Sequence, residues 1–144
     1  MSKTERAAAL FEEGFSCSQA VFAAFSEELG LDRESSLRLA QALGGGMAHL
    51  GEVCGAVSGA FLAIGLKHGR TRAADLEARD RTYALEQRFA DAFKRRHGAL
   101  RCPALLGVDL GTAEGMALAR ERNLFKSRCA AYVRSAAEIL DEIL

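Results

Sequence analysis

Between Gly51 and Lys67 the chain carries only three polar side chains, Glu52, Ser58 and Lys67. A helix over about 51–67 with so little polar surface has no face to offer water, so it is expected at the centre of the fold. Gly51, Gly55, Gly59 and Ala63 recur every four residues and share one face, a stripe with almost no side chain that a second helix backbone can approach closely. The stripe suits tight packing inside the fold. In membranes the same spacing joins separate chains, so a homodimer through Gly51, Gly55 and Gly59 stands as the alternative. The longest apolar run, 53–66, is 14 residues with three glycines, short of the roughly 20 that cross a bilayer; no membrane insertion is expected.

Periodicity elsewhere is helical, and no stretch alternates apolar and polar residues for long enough to make a strand. The fold class is all-α: a compact single-domain bundle of about six or seven helices over residues 1–144, around the central Gly/Ala-rich apolar helix. At 144 residues such a domain buries about 68–70% of its unfolded surface and needs no disulfide to fold. The first helix covers about 3–13 with Ala7, Leu10 and Phe11 inward, stopping at Gly14. The second runs from Ser16 to Leu29 with Ala20, Val21, Ala24 and Phe25 as its apolar face, and Gly30 stops it. Asp32 caps a third over about 33–43, ended by Gly44, Gly45 and Gly46. A long amphipathic helix over about 71–96 has Tyr83, Leu85, Phe89 and Phe93 on its apolar side. Asp75 with Arg79, Glu77 with Arg81 and Asp91 with Arg95 stand acid before base at i,i+4 along it. A loop over about 98–111, a short helix over about 112–120 and a C-terminal helix from Ser127 complete the chain.

Nineteen basic side chains balance nineteen acidic ones, which leaves no broad positive field for a phosphate backbone; nucleic acid is not an expected partner. Fifteen of the basic residues are arginine, but they alternate with acids and read as a solvated face. The opening segment MSKTERAAALFEEGF is charged at 3, 5, 6, 12 and 13 and never develops the apolar core of a signal peptide, so a cytoplasmic location is expected. Thiols stay reduced there, which directs the four cysteines towards redox or metal chemistry and away from permanent bridges.

Cys17, Cys54, Cys102 and Cys129 lie 37, 48 and 27 positions apart, and none forms a CxxC. What they share is placement near helix starts. Ser16-Cys17-Ser18-Gln19 fits a capping box that puts Cys17 at the first helical position. Pro103, favoured at that position, leaves Cys102 capping a short turn or helix. Ser127 as N-cap puts Cys129 in the first turn of the last helix, and Cys54 falls within a turn of the central helix start. Amides at a helix N-terminus carry partial positive charge and favour a thiolate. Four such thiols, if they converge, can cycle between dithiol and disulfide or bind zinc or an iron–sulfur cluster. His49 and His97 each precede a cysteine by five residues and are candidate bases or mixed ligands, although His97 and His68 also suit helix C-termini, where a cation complements the dipole.

The segment GGGMAHLGEVCGAVSG at 44–59, with FSCSQAV at 15–21 and the single cysteines at 102 and 129, resembles the C_GCAxxG_C_C family of small redox-active proteins. The CGAxxG element falls on Cys54, Gly55, Ala56 and Gly59, and all four cysteine positions of the family are filled. The resemblance implies a helical protein whose cysteines are redox-active or cluster-binding, and a link to a transporter system, because genes of such proteins lie near transporter genes. The leading expectation is a thiol–disulfide protein in which Cys17, Cys54, Cys102 and Cys129 gather at one end of the bundle. Cys54, in a Gly-flanked and open setting, is the expected attacking thiolate, with a second cysteine resolving the mixed disulfide on an unnamed redox partner. Gly55 and Gly59 are the positions where backbone or a bound cofactor comes close, and Glu52 or His49 assists proton movement. Two rivals stand beside it: a carrier in which Cys17, Cys54, Cys102 and Cys129 ligate a metal or iron–sulfur cluster without catalysis, and an inert homodimeric interaction module.

Overall fold

Ser16 starts the segment on which the rest of the molecule is laid. Its hydroxyl accepts from the Gln19 amide and the Gln19 side chain accepts from the Ser16 amide at 3.0 Å, closing the predicted capping box and beginning α2 (Cys17–Ser26) at Cys17. This computed structural model describes residues 1–144. Around α2 the chain forms α1 (Lys3–Glu13), α3 (Arg33–Gln41), α4 (Gly44–His49), α5 (Gly55–His68), α6 (Leu76–His97), α7 (Cys102–Leu106) and α8 (Ala113–Glu121). A π-helical turn over Phe125–Cys129 then runs straight into α9 (Ala130–Ile143). Eight of these helices are right-handed; α4 is a single left-handed turn. The fold is all-α, and no helix is long and apolar enough to cross a membrane.

The central helix is α5, as its composition requires, and α2 shares the centre with it. Ser18 to Ser26 of α2 and Gly55 to Ala60 of α5 are all buried. The two cross where side chains are missing: a Cβ on Gly59 would lie 2.6 Å from the Ser18 carbonyl oxygen, and one on Gly55 would lie 3.1 Å from the Ser18 amide nitrogen. The glycine stripe is therefore filled at Gly55 and Gly59 by α2 of the same chain, while Gly51 lies ahead of the helix. Buried Ser18 donates to the Ala40 carbonyl at 2.6 Å and Gln19 Nε2 to the Leu37 carbonyl at 3.0 Å, which ties α3 onto α2. Helices α1, α6 and α9 cover the remaining faces.

Several expectations give way to local chemistry. The second helix ends at Ser26, with turns to Gly30, and the central helix starts at Gly55 instead of 51. Asp75 is consumed as the N-cap of α6, accepting from Ala78 N at 3.1 Å, so Arg79 turns to Asp80 at 2.9 Å; only Glu77–Arg81 of the three expected pairs forms, at 3.8 Å. Tyr83 is 55% exposed. Thr82 takes the inward position beside it because its hydroxyl is satisfied by the Ala78 carbonyl one turn back. Within the expected loop over 98–111 the short helix expected at Pro103 forms as α7, but Arg101 and not Cys102 is its cap.

The least expected element is α4. Gly45, Gly46, Met47, Ala48 and His49 all have φ between 56° and 71°. For L-residues this hand costs about 1–2 kcal/mol each, and three of the five carry a Cβ. A Cβ on Gly46 would come within 2.7 Å of Cys102 Cβ, so that position admits glycine alone. The turn is held by Met47 N donating to Leu43 O at 3.3 Å and Glu52 N donating to Gly46 O at 3.1 Å. Ala48 is exposed. Replacing it, Ala48→Gly, is expected to raise stability by about 0.5–1 kcal/mol by relieving the left-handed Cβ, whereas Ala84→Gly on exposed, right-handed α6 should lower it by about 1 kcal/mol. Urea denaturation midpoints of the two variants check the contrast.

Candidate functional site: four thiols on one cavity

All four cysteines are free thiols, and all four line a single cavity of about 360 Å³. Each arrives by a different route. Cys17 is the first residue of α2, Cys54 is the N-cap of α5, and Cys102 opens the five-residue α7. Cys129 departs from expectation. Ser127 caps nothing; its hydroxyl donates back to the Asn123 carbonyl at 2.9 Å, and Cys129 ends the π-turn inside a continuous helix. Such turns re-aim side chains relative to a regular helix, and here the turn delivers Cys129 to the cavity.

Cys54 and Cys102 are brought together by a two-bond antiparallel bridge. Cys54 N donates to Leu100 O at 2.8 Å and Cys102 N donates to Glu52 O at 2.9 Å, enclosing the opposed pair Val53 and Arg101. Side chains alternate along such a ladder, so Cys54 and Cys102 share the face opposite Val53 and Arg101. Arg101 reinforces the junction by donating from Nε and Nη2 to the Gly51 carbonyl at 3.1 and 2.7 Å. A second tie joins Cys129 to the helix that carries Cys102. Tyr132 Oη donates to Leu105 O at 2.6 Å, and Arg128 Nη1 donates to the carbonyls of Leu105 and Leu106, each at 3.2 Å. Sequence reasoning missed both side chains, although their positions one before and three after Cys129 put them within a turn of it.

The thiols are electrostatically distinct. Burial pushes the Cys54 thiol up to about 12 even though the amides of Ala56 and Val57 at the α5 N-terminus favour its anion. Cys102 is raised to about 11, chiefly by burial and further by Cys129 and Asp109. Cys17 and Cys129 perturb each other most: their interaction lowers Cys129 from the ordinary thiol value, while the same interaction and burial raise Cys17 well above it. The open setting expected for Cys54 is absent, since it is 5% exposed. Of the four, Cys129 is the thiol that its surroundings favour as the anion.

Of the other candidates, His49 borders the cavity at its exposed rim. The Glu52 side chain is exposed and does not line the cavity; what it contributes is the carbonyl that holds Cys102. Gly55 borders the cavity, and the α2 backbone at Ser18 comes close to both Gly55 and Gly59. The donor set would suit a soft metal, yet no three His, Cys, Asp or Glu side chains gather at metal-ligand spacing anywhere in the chain. A Cys-ligated metal or iron–sulfur cluster therefore finds no ready cradle in this arrangement.

A family model described as "Putative redox-active protein (C_GCAxxG_C_C)" matches residues 15–143. No curated protein and no solved structure matches the chain.

His97 lies outside the cavity and is neither base nor ligand to Cys102. Its ring is 4.8 Å from both Phe93 and Tyr132, with Nε2 buried and unpartnered. Burial first, and Arg96 second, hold it below the ordinary histidine value, so it is a neutral packing group and not the dipole-complementing cation expected at a helix end. His68, also with a buried unpartnered Nε2, is lowered in the same way. Near the ordinary value, about 6.5, the unfolded chain takes up protons that the folded protein refuses. Stability is then fully present above that pH and is lost as pH falls through it towards the folded values. Chemical denaturation from pH 7.5 to 5 should show this fall, and His97→Gln should flatten part of it, leaving the share due to His68.

Proposed function

The chain belongs to the C_GCAxxG_C_C family, and we propose that it works by reversible thiol–disulfide chemistry centred on Cys17 and Cys129. The observation that carries this reading is the convergence of all four free thiols on one cavity, where Cys17 and Cys129 interact and Cys129 is the one thiol held below the ordinary value. Exchange needs a thiolate to attack and a neighbouring thiol to resolve. Cys129, lowered by its partner, fits the first role and Cys17 the second. Oxidation forms one Sγ–Sγ bond and releases two protons and two electrons to an acceptor. Cys54 and Cys102, both held protonated by burial, stay reduced in this scheme and wall the cavity. Apart from the thiols and the Tyr132 phenol, His49 is the titratable side chain on the cavity wall, placed to exchange protons between the pair and solvent.

Mild oxidation of the reduced protein should remove two hydrogens from the intact mass, and peptide mapping should place the bond between Cys17 and Cys129. Cys17→Ser and Cys129→Ser should each abolish that change, while Cys54→Ser and Cys102→Ser should retain it. Four unaltered thiols in the parent protein, or a bond that maps to Cys54 and Cys102, would overturn the assignment.

A further inference from the structure

The cavity that presents the thiols is unlike the rest of the surface. Charged residues make up 26% of the chain, so among its 18 lining residues about one in four would be charged by composition alone. None is an Asp, Glu, Lys or Arg. The wall consists of the four thiols, apolar groups such as Phe11, Leu110 and Phe125, the α4 glycines, and a few neutral polar groups including Ser16 and Gln41. Its volume of about 360 Å³ is near the lower end of the roughly 300–1,000 Å³ typical of small-molecule sites. Cys54, Cys102 and Cys129 are only 5%, 8% and 8% exposed. With Cys129 8% exposed and Cys17 only partly so, a disulfide carried on a folded protein is hindered from bringing its sulfur to the pair, whereas a small molecule can enter the cavity. A carboxylate or ammonium on that molecule would lose its hydration and find no opposite charge in the wall.

From this we infer that the redox partner of the Cys17–Cys129 pair is a small uncharged disulfide, with its thiol as the product, and not a protein or a charged low-molecular-weight disulfide. The inference rests on the thiol–disulfide reading above. In the reaction Cys129 Sγ, having given up its proton, attacks one sulfur of R–S–S–R. A Cys129–S–R bond forms as the R–S–S–R bond breaks, and the departing RS⁻ takes up that proton. Cys17 Sγ then attacks Cys129 Sγ, expelling a second RS⁻ that takes the proton Cys17 releases. Two protein thiols are oxidised, one small disulfide is reduced to two RSH, and no other reactant is needed.

The test measures the rate at which the Cys17–Cys129 bond forms with four oxidants: bis(2-hydroxyethyl) disulfide, uncharged; 3,3′-dithiodipropionate, a dianion; cystamine, a dication; and insulin, a protein disulfide. Each rate is divided by the rate for the same chain unfolded in urea, which removes the intrinsic reactivity of the reagent. The uncharged reagent should show a ratio at least about tenfold above both charged ones, equivalent to about 1.4 kcal/mol, with insulin lowest. Ala48→Asp sets a carboxylate on the cavity rim at a left-handed position that aspartate tolerates; it should move the dication-to-dianion ratio several-fold towards the dication. Equal ratios for charged and uncharged reagents, or a rapid reaction with insulin, would overturn the inference while leaving the thiol–disulfide reading standing. If no reagent closes the bond, both fall together.

Discussion

The close crossing of α2 and α5 is the contact on which the remaining geometry depends. It exists because Gly55 and Gly59 present hydrogen where any other residue presents carbon, so the Ser18 backbone settles against the α5 backbone itself. Close approach fixes where both N-termini lie, and each N-terminus bears a thiol, Cys17 on one and Cys54 on the other. Ser18 cannot be traded for an apolar residue of similar size without loss, since its hydroxyl also anchors α3 through the Ala40 carbonyl. Packing and thiol placement are thus set by the same few atoms.

The other two thiols are added from outside that crossing by polar ties. The Glu52–Cys54 and Leu100–Cys102 segments meet through two backbone hydrogen bonds, and the C-terminal helix is tied to α7 by Tyr132 and Arg128. Each neutral tie contributes about 0.5–1.5 kcal/mol net, far less than the apolar burial beneath, so these ties set position more than they set stability. The left-handed α4 fits the same pattern. It is strained backbone, and it forms the cavity wall beside Cys102, where Gly46 leaves room for the cysteine side chain. Strain of this kind persists only where the surroundings over-determine it, and it gathers at functional sites.

What the sequence made legible follows the strength of each local signal. The Ser16–Gln19 capping box, the Asp32 cap and the central position of the glycine-rich helix were readable because each is a short-range pattern with one good solution. Tyr83 misled because hydrophobicity was weighed above helical phase, although Thr82, with its hydroxyl satisfied internally, fits the buried face better. Ser127 misled because a serine before a helical run looks like a cap, and nothing nearby reveals that the helix has already begun in a π-turn. The left-handed turn at Met47, Ala48 and His49 was illegible, since those residue types disfavour it and only tertiary contacts impose it. The convergence of the thiols was expected from the family resemblance, but the contact that brings Cys54 and Cys102 together was illegible, because the bridge between 52–54 and 100–102 carries no side-chain signature.

Cys17 and Cys129 lie 112 positions apart, at opposite ends of the folded sequence. The bond proposed between them would close a loop of that length, and for a loop of about 100 residues the chain-entropy model assigns a disulfide roughly 4.7 kcal/mol of stabilisation. Resistance to unfolding and the tendency of the pair to be oxidised are therefore two sides of one thermodynamic cycle. Whatever loosens the helical scaffold also makes the thiols easier to keep reduced, and whatever tightens it draws them towards the bond. In the proposed pair, the affinity for electrons would then follow in part from the length of chain that separates Cys17 from Cys129.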